Sequence, residues 1–280
     1  MKFPTAFHAI VITAVSIGAN TIAHSQAMQY DVTSLNGGYA YSISGSATDP
    51  GNGWLTRIAE AGRLTADGAG NINGVDTVII AGSLIRRNVT GTYTINPDGT
   101  GSLVLNPSWG PQIHADFTAA SAGRILTLML TDSGSTLSGT MAAQQPAGQT
   151  APAPGYSAAA LNGTYVYRLA GSAVDFYGNV TPIREVGRLT PDGAGNITGS
   201  STVSIGGYVV KRTLSGTYAV NPDGSGWATL YPSWGPPIDL DLFLSSNGQS
   251  VEFVVTDAGS TLSGLMTADN PPAPANAAVK

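Results

Sequence analysis

Residues 91–107, GTYTINPDGTGSLVLNP, set the pattern for most of the chain. Gly91, Tyr93 and Ile95 alternate with Thr92 and Thr94, an Asn-Pro-Asp-Gly turn follows, and Leu103 and Leu105 resume the alternation. A period of two marks a strand with one buried face, because successive strand side chains point to opposite sides. Asp-Gly and Asn-Gly between such runs supply the positive-φ positions of tight hairpins. Read this way, the first half of the chain holds eight strands, near 37–45, 56–65, 71–81, 84–95, 101–106, 112–119, 124–131 and 135–142. No amphipathic helix is expected beyond the N-terminal segment. About eight meandering strands close into an up-and-down barrel, since closure removes the exposed edges.

The whole pattern then occurs a second time. LNGGYAYSISGSA at 35–47 returns as LNGTYVYRLAGSA at 161–173, and GRLTADGAGNING at 62–74 as GRLTPDGAGNITG at 187–199. NPSWGPQIHADF at 106–117 returns as YPSWGPPIDLDL at 231–242. The expected fold class is therefore all-β, two tandem antiparallel up-and-down barrels of about eight strands each. The expected division is a signal peptide over 1–27, a first barrel over 28–143, a Pro/Ala-rich linker over 144–159, a second barrel over 160–268 and a disordered tail over 269–280.

Two copies also reveal which face is buried. In the fourth strand Ile85, Arg87, Val89 and Tyr93 share the apolar side, matched by Val210, Arg212, Leu214 and Tyr218. In the second strand Ile58, Glu60 and Leu64 do so, matched by Ile183, Glu185 and Leu189. Tyr39 and Tyr41, with Tyr165 and Tyr167, give the first strand an aromatic inner face. An unpaired charge inside a barrel costs several kcal/mol, so Glu60 should meet Arg87, and Glu185 should meet Arg212. Such a pair is either an ion pair closing the interior or a polar anchor in an apolar ligand cavity. Trp109 and Trp234 tip the two Pro-Ser-Trp-Gly-Pro corners, which should stiffen one barrel end, with the indole either plugging that end or folding over the opening as a lid.

In strand count and turn rhythm both copies resemble the lipocalin-like and allene-oxide-cyclase-like (dirigent-type) barrels. Asn36-Gly37-Gly38-Tyr39 and Asn162-Gly163-Thr164-Tyr165 stand where lipocalins carry Gly-x-Trp. The resemblance implies an apolar cup with a few charged groups inside, and an isomerase or cyclase as the enzymatic alternative.

Composition narrows the field. MKFPTAFHAIVITAVSIGANTIAHSQA reads as a secretory signal cleaved after Ala27, which predicts a secreted or periplasmic protein. Beyond it remain one histidine, His114, and no cysteine, so neither a thiolate nor a His-rich metal site is expected. The net charge of −5 and the scarcity of lysine exclude phosphate-backbone binding, so no nucleic-acid partner is expected. Outward faces rich in Thr and Ser disfavour membrane insertion. The Asp-Gly loops at Asp67, Asp98, Asp192 and Asp223 read as turns rather than calcium loops, and His114 and Asp116 should face solvent. No cofactor is expected. The functional expectation is a binding protein for a small apolar or aromatic ligand, contacted by Glu60, Arg87, Tyr39, Tyr41, Tyr93 and Trp109 and by Glu185, Arg212, Tyr165, Tyr167, Tyr218 and Trp234. The alternatives are a cofactor-free cyclase or isomerase and a structural protein with filled barrels.

Overall fold

The computed structural model describes residues 29–48, 53–145, 155–175 and 177–269. The expected signal segment, most of the linker and nearly all of the tail lie outside these residues. The first eight strands are β1 (Asn36–Thr48), β2 (Leu55–Asp67), β3 (Asn71–Ile80), β4 (Ser83–Ile95), β5 (Thr100–Pro107), β6 (Ile113–Ala120), β7 (Ile125–Leu130) and β8 (Ser135–Ala143). The second eight are β9 (Tyr165–Val174), β10 (Val180–Pro191), β11 (Asn196–Ile205), β12 (Tyr208–Val220), β13 (Ser225–Pro232), β14 (Ile238–Ser245), β15 (Ser250–Val255) and β16 (Ser260–Ala268). Each set is an antiparallel meander that closes on itself, β1 against β8 and β9 against β16. The expected architecture and all eight first-copy strands are present, with bounds shifted by three residues at most.

The turns obey local chemistry. Asp67 accepts from the backbone N–H of Ala69 and Asn71 at 2.8 and 2.9 Å, and Asp192 does the same for Ala194 and Asn196. Asp98 and Asp223 accept likewise from Thr100 and Ser225 at 2.9 Å. These side-chain-to-backbone bonds define Asx turns. They also hold the carboxylates of Asp67, Asp98 and Asp192 below their ordinary range, with the side-chain bonds to Asn71, Thr100 and Asn196 as the main cause.

Each barrel has a closed base and a mouth. At the first base a short 3-10 turn, Val32–Ser34, carries fully buried Leu35 beneath the core. Tyr93 donates to the main-chain oxygen of Leu35 at 2.7 Å, and Tyr39 donates to that of Gly123 at 3.0 Å. The second base repeats the device with Leu161, Tyr218 and Tyr165. The mouth is formed by the opposite turns, including both tryptophan corners.

The barrels lie side by side with both mouths on the same side. At the mouth end the β3–β4 turn touches the β15–β16 turn, where the Gly259 N–H donates to the Gly82 oxygen at 3.1 Å. At the base end buried Gln144 donates to the main-chain oxygens of Asp223 and Leu244 at 3.2 and 3.0 Å. Tyr156, also buried, donates to the Gln144 oxygen at 2.6 Å, so the described ends of the Pro/Ala-rich segment are packed into the base. Between these ties, Ala40, Ala59, Ala61 and Ile79 of the first barrel bury against Phe243 and Val254 of the second. Polar contacts surround that patch. Arg86 forks onto Asp241 at 3.0 and 2.9 Å, Arg63 pairs with Asp223 at 2.9 Å, and Ser42 and Thr140 donate to Glu252 at 2.5 and 3.1 Å.

Candidate functional site

Strand register brings the expected charged pairs together. Glu60 and Arg87 point inward from β2 and β4 and meet at 3.0 Å, both buried. Glu185 and Arg212 meet at 2.8 Å in the second barrel. Of the tyrosines, Tyr41 and Tyr167 join them, donating to Glu60 at 2.6 Å and to Glu185 at 2.8 Å. Glycine makes room for those rings. A Cβ on Gly62 would stand 2.7 Å from the Tyr41 ring, and one on Gly187 would stand 2.7 Å from the Tyr167 ring. Tyr39, Tyr93, Tyr165 and Tyr218 serve the barrel bases instead.

The first barrel contains a further charge that the copy comparison misses. Asp76, inward on β3, takes a two-pronged contact from Arg87, 2.8 Å to Nε and 2.7 Å to Nη2. The Tyr41 hydroxyl lies 3.1 Å from Asp76 as well as 2.6 Å from Glu60. One hydroxyl proton cannot serve two carboxylates, so the arrangement calls for a proton on one of the acids. Burial, and then the charge of Asp76, push the Glu60 carboxyl up to about 7. Burial opposes the charge of Arg87, but its bonds to Asp76 and the nearby Glu60 prevail and raise its pKa. In the second barrel the matching residue is Ser201, 3.3 Å from Arg212 Nε, leaving one carboxylate for one guanidinium. Asp76 shares the inner face of β3 with Ile72, Gly74 and Val78, so β3 periodicity alone marks it.

The tryptophan corners correct one expectation. The indoles of Trp109 and Trp234 do not plug the barrels; the residues are 54% and 45% exposed. The backbone turns inward instead. Arg212 Nη1 donates to the Trp234 oxygen at 3.1 Å, and Arg87 Nη1 reaches the Trp109 oxygen at 3.4 Å. The glycine after each tryptophan, Gly110 at φ +99° and Gly235 at φ +105°, permits the bend. The corner thus caps the buried arginine and leaves the ring outside.

Above Glu185 and Arg212, the mouth of the second barrel holds a cavity of about 380 Å³. Its walls include Ile183, Val203, Ile205, Ile238, Val255 and Leu262, with Pro236 and Pro237 at the corner. At the same barrel end, outside the cavity lining, the Tyr208 and Trp234 rings lie 6.1 Å apart, centroid to centroid, and tilted by 46°. Ser83 occupies the Tyr208 position in the first copy, so this aromatic pair belongs to the second barrel alone. Asp257 also lines the cavity, and burial raises its pKa against the backbone hydrogen bond from Asp239, whose charge acts the other way. The first-copy equivalents are Asp132 and His114, 2.7 Å apart, with His114 on the outer face as expected. Asp116 is likewise exposed. Among the described residues no cluster of three His, Asp or Glu could hold a metal, and no helix is long and apolar enough to cross a membrane.

No protein-family model and no curated protein matches the chain. Two solved structures share a distant likeness. An AttH-like protein of Nitrosomonas europaea is 8% identical over 83% of this chain and 92% of its own, with a TM-score of 0.27. A protein of unknown function from the DUF3598 family of Nostoc punctiforme is 13% identical over 85% and 98%, with a TM-score of 0.22. At these values neither likeness bears on function. The barrels themselves are closed, eight-stranded and antiparallel, which is a lipocalin-like architecture.

Proposed function

We propose that the protein binds a small apolar or aromatic molecule in the mouth of its second barrel. The apolar cavity over Glu185 and Arg212 carries this reading. Its volume, about 380 Å³, falls within the range of small-molecule sites, roughly 300–1,000 Å³. An apolar wall of Ile183, Val203, Ile205, Ile238, Val255 and Leu262 supplies the affinity. The buried ion pair forms a fixed polar floor beneath the cavity. Its donors and acceptors are already engaged with each other, with Tyr167 and with the Trp234 oxygen, which disfavours an acid–base role. The signal-like pattern of residues 1–27 supports action outside the cytoplasm, and exported protein should begin at Met28 by mass spectrometry.

Titration with the apolar fluorophore 1-anilinonaphthalene-8-sulfonate tests the cup. Saturable binding is expected, and Leu262→Trp, which fills the cavity, should abolish it while the β-sheet circular dichroism persists. A wild-type protein that takes up no fluorophore, or a filled variant that binds it equally well, would sink the proposal.

A further inference from the structure

Docking of the barrels leaves a groove of about 560 Å³ along one seam, separated from the mouth cavity by the wall of β9 and β10. One side is made of hydroxyls, Ser42 and Ser44 from β1 with Ser138 and Thr140 from β8. The other carries Arg168 from β9 and Arg184 from β10. Arg168 pairs across the ladder with Val186 and Arg184 with Ala170, so the two guanidinium groups leave the same face as diagonal neighbours. Like charges at such spacing repel unless something between them is negative.

The protein supplies little of that. Neither arginine forms an ion pair among the described residues. Arg184 donates from Nη1 to the main-chain oxygens of Gly171 and Ile183, which holds its stem at the groove wall. Glu252 interacts with Arg168 through charge without an ion-pair contact; its oxygens accept from Ser42 and Thr140, and burial raises its pKa against the pull of those bonds and of Arg168. The first copy has Ser42 and Ala59 at the two arginine positions, so duplication did not impose these charges. They arise where the second barrel faces the seam.

We infer that this groove binds a sugar acid, its carboxylate held between Arg168 and Arg184 and its hydroxyls on the serine and threonine wall. Guanidinium offers only donors, in a fork that matches a carboxylate. Ser44 and Ser138 can donate and accept, while Ser42 and Thr140, whose protons go to Glu252, can only accept; such a wall suits a polyol and gives nothing to an apolar guest. The site is independent of the mouth cavity, and it exists only because the two barrels are docked.

Calorimetric titration of the full chain with D-glucuronate, D-glucose and acetate tests the inference. Glucuronate should bind with a dissociation constant of roughly millimolar order, at least about tenfold tighter than either glucose or acetate. Salt should weaken it by screening the exposed arginines. Arg168→Gln with Arg184→Gln should remove the binding and leave fluorophore uptake in the cup unchanged; Arg168→Gln alone gives the same reading should the double variant not fold. Glucose binding as tightly as glucuronate would overturn the arginine half of the inference, and acetate doing so would overturn the hydroxyl half. Absence of glucuronate binding, or its persistence in the variant, would overturn the site itself. Failure of the cup would show separately, in the fluorophore titration.

Discussion

Asp76 and Ser201 occupy the same place in the two barrels, and each touches the buried arginine through Nε, at 2.8 and 3.3 Å. That single difference sets the interior charge. The first barrel places two carboxylates on one guanidinium, and the second places one.

The first consequence is a pH dependence. Glu60 has an ordinary value of 4.5 and is pushed up to about 7 by burial and by Asp76. A carboxyl raised on folding stabilises fully below its unfolded value, and that contribution is lost as pH rises through the folded value. Wild-type stability should therefore fall between about pH 5 and pH 8, by up to roughly 3 kcal/mol from this group. Glu252 shifts in the same direction and adds to the fall. Asp76→Ser removes the main repulsion and should flatten the curve in thermal melts. Parallel curves for the two proteins would show that the charge of Asp76 does not set the pH dependence.

Removing the arginines should separate the barrels further. Arg87→Met leaves Glu60 and Asp76 buried without a cation, and a cost of about 3–5 kcal/mol or more is expected. Arg212→Met strands Glu185 alone and should cost less. Replacing both members of the second pair, Glu185→Leu with Arg212→Met, should bring stability back to within about 1–2 kcal/mol of wild type. Urea titrations decide this, and equal costs for the two single variants would contradict the charge count.

The corner glycines and tryptophans should behave in opposite ways. A Cβ on Gly235 would be strained at φ +105° and would come within 3.1 Å of Arg212 Nη1, so Gly235→Ala should cost roughly 1–3 kcal/mol. Trp234→Ala removes a half-exposed ring but keeps the oxygen that caps Arg212, and should cost less than about 1 kcal/mol.

The seam predicts coupled but separable barrels. Residues 28–145 alone should fold with a cooperative transition, since β1–β8 form a closed ladder. In the full chain, Phe243→Ala removes the largest side chain of the buried seam patch and should split one calorimetric transition into two. A fragment that does not fold, or a variant that still melts as one unit, would show a deeper dependence between the halves.

Strand positions, turn types and the inward Glu60–Arg87 and Glu185–Arg212 pairs were legible in the sequence, because alternation, Asp-Gly chemistry and the cost of a buried charge are local or pairwise rules. The inner face of β3 follows the same alternation, and Asp76 lies on it with Ile72 and Val78. Other features depended on how segments meet. Whether the indole or the carbonyl of Trp109 turns inward is decided by the bend at Gly110 and the reach of Arg87, residues brought together by strands that are distant in sequence. The seam was hidden for a related reason. Ala59 and Ala61 are unremarkable as outward residues of one strand, and they become an interface only when Phe243 and Val254 of the other barrel cover them. The one trace of the seam in the sequence is divergence, with Phe243 standing for Thr118 and Glu252 for Thr127, because a docking face is the part of a duplicated wall that the two copies cannot share.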